Sequence, residues 1–316
     1  MQKVLKLINM ADVTSRRVNW LWYPYIPFGK LTIIQGDPGE GKTTFILHLA
    51  ALLSKGEALP GSDSQQMPIN IIYQTAEDGL EDTIKPRLEE AEADCSRILV
   101  IDETEESLCM TDERLEQAIQ KTGARLVILD PIQAYLGASV DMHRANEIRP
   151  VMKRLGDIAE KYQCAIVLIG HMNKASGSKS TYRGLGSIDF QATARSVLVV
   201  GRIKDNPEIR VIAHDKSSLA PEGESVAFKL GEDGFCWQGH YEISVEELLS
   251  GGQHDSKLKK AENLLNDILS ADSLCQSEIV QKAMAQDISK RVLDQAKKNL
   301  GVKSYKSGAK WYWKME

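Results

Sequence analysis

Nine consecutive residues, Gly36-Asp37-Pro38-Gly39-Glu40-Gly41-Lys42-Thr43-Thr44, carry the most specific chemistry in the chain. They fit the pattern G-x-x-x-x-G-K-[ST], in which glycines let successive backbone N–H groups turn inward around an anion. The apolar run Leu31-Thr32-Ile33-Ile34-Gln35 precedes them as a buried strand, and an amphipathic stretch from about Thr43 to Ser54 follows as a helix. A helix N-terminus adds its partial positive charge to the nest. Lys42 is placed to reach the β- and γ-phosphates of a nucleotide, and the Thr43 hydroxyl to ligate magnesium. The expected ligands are therefore ATP and Mg2+.

Three further polar residues end apolar runs. Asp130 closes Arg125-Leu126-Val127-Ile128-Leu129, and a carboxylate at the end of a buried strand is costly unless it meets a cation, here the magnesium and its water shell. Glu77 follows Ile69-Asn70-Ile71-Ile72-Tyr73 and stands where a carboxylate could orient an attacking water, with Asp78 as competitor for that role. His171 follows Ala165-Ile166-Val167-Leu168-Ile169, between the phosphates and the next loop, as a candidate sensor of hydrolysis.

These residues need a scaffold that brings strand ends together. Apolar runs at 31–35, 69–73, 98–101, 125–130 and 165–169 alternate with helical patterns at 80–93, 112–121 and 146–162. That alternation predicts an α/β fold, a mainly parallel sheet with helices on both faces and its ligand at the carboxyl ends of the strands. Runs at 196–200, 209–213 and 226–230 are separated by short polar turns, which predicts an antiparallel extension. Residues 1–27 read as an arm bearing Trp20, Trp22, Tyr23 and Tyr25; its aromatics either pack on the core or dock on a neighbouring subunit. The core spans 28–249, 250–256 is a linker, and 257–316 is a small second domain.

That second domain reads as three helices (257–269, 276–285 and 289–300) followed by a basic, aromatic hairpin around Ser307-Gly308. This is the layout of a winged helix with 289–300 as recognition helix, and it points to duplex DNA as partner. Lys290, Arg291, Lys297, Lys298, Lys303 and Lys306 are its candidate DNA contacts. Charge supports the division: residues 256–316 hold 12 Lys/Arg against 7 Asp/Glu, while the preceding 255 hold 27 against 37. The five cysteines are scattered without a C-x-x-C pair, which argues against a disulfide framework or zinc site and fits a reducing cytoplasm. No apolar run approaches the ~18 residues of a membrane span, so no membrane association is expected.

Taken together, the phosphate-binding loop, Glu77, Asp130-Pro131, Gly170-His171-Met172-Asn173, Arg183-Gly184-Leu185-Gly186-Ser187 and Ala194-Arg195-Ser196 resemble the RecA-like ATPase core of RepA-type hexameric replicative helicases, relatives of the DnaB helicases. The resemblance covers roughly residues 15–235. It implies a six-subunit ring of identical chains with ATP at each interface, Glu77 as catalytic carboxylate and His171 as switch. It also implies a Lys174–Ser187 loop, with Lys174, Lys179 and Arg183, that grips single-stranded DNA inside the ring. Arg195 matches the family's arginine finger, acting on the neighbouring subunit's nucleotide, and Lys216 a lysine that assists it. The expected activity is that of a DNA-dependent ATPase and helicase of a plasmid, phage or other mobile element. The appended basic domain keeps open an ATP-controlled, DNA-binding initiator or regulator. A small-molecule kinase fits less well, because the loop after His171 is basic and follows the sensor strand.

Overall fold

The carboxyl-end clustering expected from the sequence depends on strand order, which the structure supplies. A computed structural model describes residues 5–62, 64–137, 140–172, 188–250, 253–270, 273–286, 288–308 and 310–315. Lys174, Lys179 and Arg183 therefore lie outside the described residues. By contact the chain divides into two units, Met1–Val200 with His214–Glu224, and Gly201–Ala213 with Ser225–Glu316.

In the first unit the elements run β1 (Trp20–Trp22), β2 (Ile26–Pro27), β3 (Leu31–Gly36), α1 (Lys42–Lys55), β4 (Ile71–Thr75), α2 (Lys85–Glu90), β5 (Ile98–Leu99), α3 (Glu113–Thr122), β6 (Leu126–Asp130), α4 (Ala145–Tyr162), β7 (Ala165–His171), α5 (Ile188–Thr193), β8 (Ser196–Ile203) and β9 (Asn206–Ser217). The sheet order β8-β3-β7-β6-β4-β5 is parallel at every pair. Chain order reverses about β3, which has β7 on one side and β8 on the other; this is where open α/β sheets leave a crevice for a ligand. Register sets Gly36 beside His171 and Thr75 beside Asp130, so the polar residues share one edge.

Helices cover both faces because both parities along the strands are apolar. Leu31, Ile33, Val127, Leu129, Ile166 and Leu168 pack with Leu115 and Ile119 of α3 and Ile148, Met152 and Leu155 of α4. The intervening Ile34, Leu126, Ile128, Val167 and Ile169 are as deeply buried. Within the expected arm, Trp22 and Tyr25 are built into the core: the Trp22 indole donates to the Pro60 carbonyl and lies 6.1 Å from the Phe45 ring, and the Tyr25 hydroxyl donates to the Glu224 carbonyl. Leu5, Leu7, Ile8 and Met10, by contrast, are exposed.

Several boundaries differ from expectation. The run at 98–101 forms a strand only over Ile98–Leu99, because the Gln74 carboxamide takes over the ladder. Its oxygen accepts from the Ile101 N–H and its nitrogen donates to the Ile101 carbonyl, a side chain substituting for a backbone partner. The helix expected over 80–93 begins as a π-turn at Leu80–Ile84 and ends at Glu90. The strand expected over 209–213 extends to 206–217 as β9.

In the second unit, residues 209–212 of β9 pair antiparallel with β10 (Val226–Gly231), which pairs with β11 (Gly234–His240), a strand the sequence did not reveal. Next come α6 (Val245–Ser250), α7 (Gln253–Leu269), β12 (Leu274–Cys275), α8 (Gln276–Ala285), α9 (Lys290–Asn299), β13 (Lys303–Ser307) and β14 (Lys310–Lys314). The expected linker at 250–256 is overrun by α7, which starts four residues before the expected 257. Its first turn is polar and lacks the Pro or Gly that would stop a helix, so polarity alone misled the boundary. Ala261, Leu265, Ile279, Leu293, Ala296 and Trp313 form a core among α7, α8, α9 and the hairpin, and β12 adds a third strand beside β14. No helix among the described residues is long and apolar enough to cross a membrane.

Candidate nucleotide site

The loop between β3 and α1 has little freedom of sequence. Gly39 and Gly41 hold φ of +78° and +88°, a region that strains any residue with a Cβ. At Gly36 an added Cβ would fall 2.2 Å from the Val200 carbonyl oxygen of β8. The loop is thus wedged between two strands and aimed at the N-terminus of α1.

Lys42 is 5% exposed, and its ammonium donates to the Gly36 and Asp37 carbonyls at 3.0 and 2.9 Å. Burial pulls its pKa below the ordinary lysine value, while Asp130, Glu40, Asp37 and Glu77 pull it back up. The same ammonium lies 3.3 Å from His171 Nδ1. An ammonium has no lone pair to offer, so Nδ1 is the acceptor and the imidazole proton sits on Nε2. Nε2 in turn lies 3.9 Å from a Glu77 carboxylate oxygen. A line of three side chains, Lys42, His171 and Glu77, runs out from the loop. Asp78, the competitor for the carboxylate role, is tied instead to Arg87 at 3.2 Å.

On the opposite side Thr43 Oγ1 donates to Asp130 Oδ2 at 2.8 Å, and the Tyr73 hydroxyl donates to that same oxygen at 3.1 Å. Burial raises the Asp130 pKa, opposed by these two hydrogen bonds and by Lys42. A hydroxyl and a carboxylate in contact, beside a buried ammonium and a nest of N–H groups, form the donor set that suits Mg2+ with a phosphate chain. Mg2+ keeps most of its waters and takes one or two protein oxygens. Thr43 and Asp130 would hold the metal, and Gly36 to Thr44 the phosphates; bound there, Mg2+ would offset phosphate charge. Among the described residues no cluster of three His, Cys, Asp or Glu side chains offers a denser metal cage.

Tyr73 was not singled out in the sequence. The signal was there: a phenol inside an aliphatic strand must find an acceptor, and a carboxylate ends the adjacent strand.

Arg195 and Lys216 are brought together, but far from this loop. The Arg195 N–H donates to the Leu31 carbonyl at the start of β3, and β3 carries six residues from Leu31 to Gly36, about 17 Å at strand rise. Arg195 is exposed. The Lys216 ammonium donates to the carbonyls of Gln191, Ala192 and Ala194, at the end of α5, at 2.6, 3.2 and 2.8 Å. Burial lowers its pKa, and the Arg195 charge lowers it further. Neither cation serves the nucleotide site of its own chain.

The family model described as an AAA domain, AAA_25, matches residues 3–177. The chain belongs to that family. This AAA domain is 27% identical over 165 residues to the DNA repair protein RadA of Halalkalibacterium halodurans and 27% identical over 148 residues to that of Bacillus subtilis, covering 52% and 46% of this chain. It spans about a third of the length of those curated relatives, 32% and 28%. Among solved structures, the ATPase domain of a helicase superposes with a TM-score of 0.50 at 16% identity, over 67% of this chain and 85% of that one. The fold is RecA-like, with the loop at Gly36–Thr43 in its ATP-binding position.

In the second unit of the AAA protein, Lys290, Arg291 and Lys298 lie exposed on α9 and Lys303 and Lys306 on β13. Lys297 is turned inward instead. Its ammonium lies 4.2 Å from the centre of the Trp313 ring and donates to Ser304 Oγ, fastening α9 to the hairpin.

Proposed function

We propose that the protein is a Mg2+-dependent ATPase that works on DNA as a ring of identical subunits, with the activity of a replicative helicase of a mobile element. The observation that carries the reading is the line Lys42–His171–Glu77 beside the Thr43–Asp130 pair. It supplies a phosphate cradle, a metal seat and a carboxylate from one chain. Glu77 orients and polarises the attacking water, and His171 couples the phosphate end to the segment that follows β7. Arg195, exposed and about 17 Å from its own loop, acts on a neighbour's nucleotide; a cation supplied in trans can be worth ~10³-fold or more in rate. Lys216 assists by holding the turn from which Arg195 projects. The α7–β14 module, a winged helix with α9 as recognition helix, meets duplex DNA through Lys290, Arg291 and Lys298. Lys174, Lys179 and Arg183 contact single-stranded DNA.

The test is ATP turnover with and without single-stranded DNA. Turnover should rise with DNA, vanish in Lys42→Ala and fall strongly in Glu77→Gln. A rate indifferent to DNA defeats the motor. A second reading, an ATP-controlled initiator, draws on the basic module with its own core. Removing residues 256–316 should leave DNA-stimulated turnover in a motor and abolish sequence-specific binding in an initiator.

A further inference from the structure

The β13–β14 hairpin has two faces of different chemistry. Ser304 opposes Trp313 and Tyr305 opposes Tyr312, and successive residues point to opposite sides of a sheet. The face bearing Trp313 is turned inward: Trp313 is 1% exposed and packs with the helices, and Leu274 of β12 pairs with it. The other face carries Tyr305 and Tyr312, stacked with centroids 5.8 Å apart and planes 25° from parallel. Lys303 and Lys314, opposite each other one pleat away on the same side, are both exposed. Tyr305 remains 40% exposed, with its hydroxyl 2.7 Å from the Ser273 hydroxyl, which pins the ring at its rim. From Lys303 to Lys314 the sequence has four lysines and no acid.

An aromatic pair left at the surface adds little to a core that Trp313 and the helices already fill. Its value lies in its π-faces, and the lysines around it select an anionic partner. Bases stacked in a duplex hide their faces, whereas unpaired bases offer them together with a flexible phosphate chain. We propose that this sheet face binds single-stranded nucleic acid, with unpaired bases stacking at Tyr305 and Tyr312 and phosphates meeting Lys303 and Lys314. The inference deepens the DNA function proposed above, and gives the module a second surface distinct from α9.

The test uses the full chain with a labelled oligothymidylate and a matched duplex at fixed salt. Tyr305→Ala should weaken single-strand binding about five- to a hundredfold, the range of one lost base stack, and leave duplex binding unchanged. Lys290→Ala with Arg291→Ala should do the reverse. Photocrosslinking of an oligonucleotide carrying 5-iododeoxyuridine, followed by peptide mapping, should label residues 303–314. A Tyr305→Ala variant that melts like the parent yet binds the single strand unchanged overturns the proposal. So does label confined to other segments, whether or not DNA stimulates turnover. Label on the hairpin with turnover indifferent to DNA supports this surface while defeating the motor.

Discussion

Tyr73→Phe isolates one hydrogen bond at the proposed metal seat. The phenol is fully buried in β4, and its hydroxyl donates to the Asp130 oxygen that Thr43 also engages. Phenylalanine keeps the ring and removes only the donor. A hydrogen bond to a charged acceptor contributes about 1.5–3 kcal/mol, and because Thr43 shares the load the lower end applies, about 1.5 kcal/mol or tenfold in an equilibrium constant. The direction follows from Asp130 itself. Burial already raises its pKa and the Tyr73 hydrogen bond lowers it, so losing that bond pushes it higher still. Asp130 then stays protonated to higher pH and binds Mg2+ more weakly. The expected result is a Mg2+ half-saturation for nucleotide binding about tenfold above the parent, a gap that widens as pH falls. A labelled ATP analogue titrated with Mg2+ at several pH values measures both, and a thermal melt shows that the fold is intact. Parent-like Mg2+ dependence at every pH, in a variant that melts normally, refutes Tyr73 as the group that positions Asp130.

Gly36→Ala should abolish nucleotide binding and lower the melting temperature, because its Cβ meets the Val200 backbone at 2.2 Å and backbone cannot swing aside. Lys216→Met removes three hydrogen bonds at the end of α5 and should cost about 1–2 kcal/mol in a denaturant melt of the protein alone; parent-like stability would restrict Lys216 to a role in trans. His214, between Gly223 N–H and Ser196 Oγ, is pushed by burial down to about 4, well below its value in an unfolded chain. Between pH 6.5 and 4 the unfolded chain therefore takes up a proton that the folded one refuses. Stability present above pH 6.5 should fall by at most about 3 kcal/mol as pH approaches 4, and His214→Asn should flatten that slope in denaturant melts.

The nucleotide loop was legible because its chemistry is local: glycines, lysine and threonine at fixed spacing need only the strand and helix beside them. Asp130 was legible for the same reason, as a charge ending an apolar run. What the sequence hid depends on partners distant along the chain. Nothing near Tyr73 says that its hydroxyl will find Asp130, because that needs β4 and β6 to be neighbours. Nothing near Lys216 says that its ammonium will be taken up by α5, which makes a surface-looking lysine a structural one. The strand order, with β7 between the loop strand and the Asp130 strand, comes from packing that periodicity does not encode. The early start of α7 shows the other limit, since a polar stretch without a breaker reads as linker but folds as helix.

The Gln74 carboxamide that ends β5 also bears on how copies of this chain can meet. A sheet that stops at a long bare strand presents a row of unused N–H and C=O groups, and such a rim invites another chain to zip on edge to edge. Here the outermost strand is two residues long, and the next peptide along is already capped by a glutamine side chain from within. Fibre-like growth from that rim has almost nothing to grip. Association is left to side chains and loops, whose contacts can be made and broken one subunit at a time, as a machine that cycles requires and a polymer of strands does not allow.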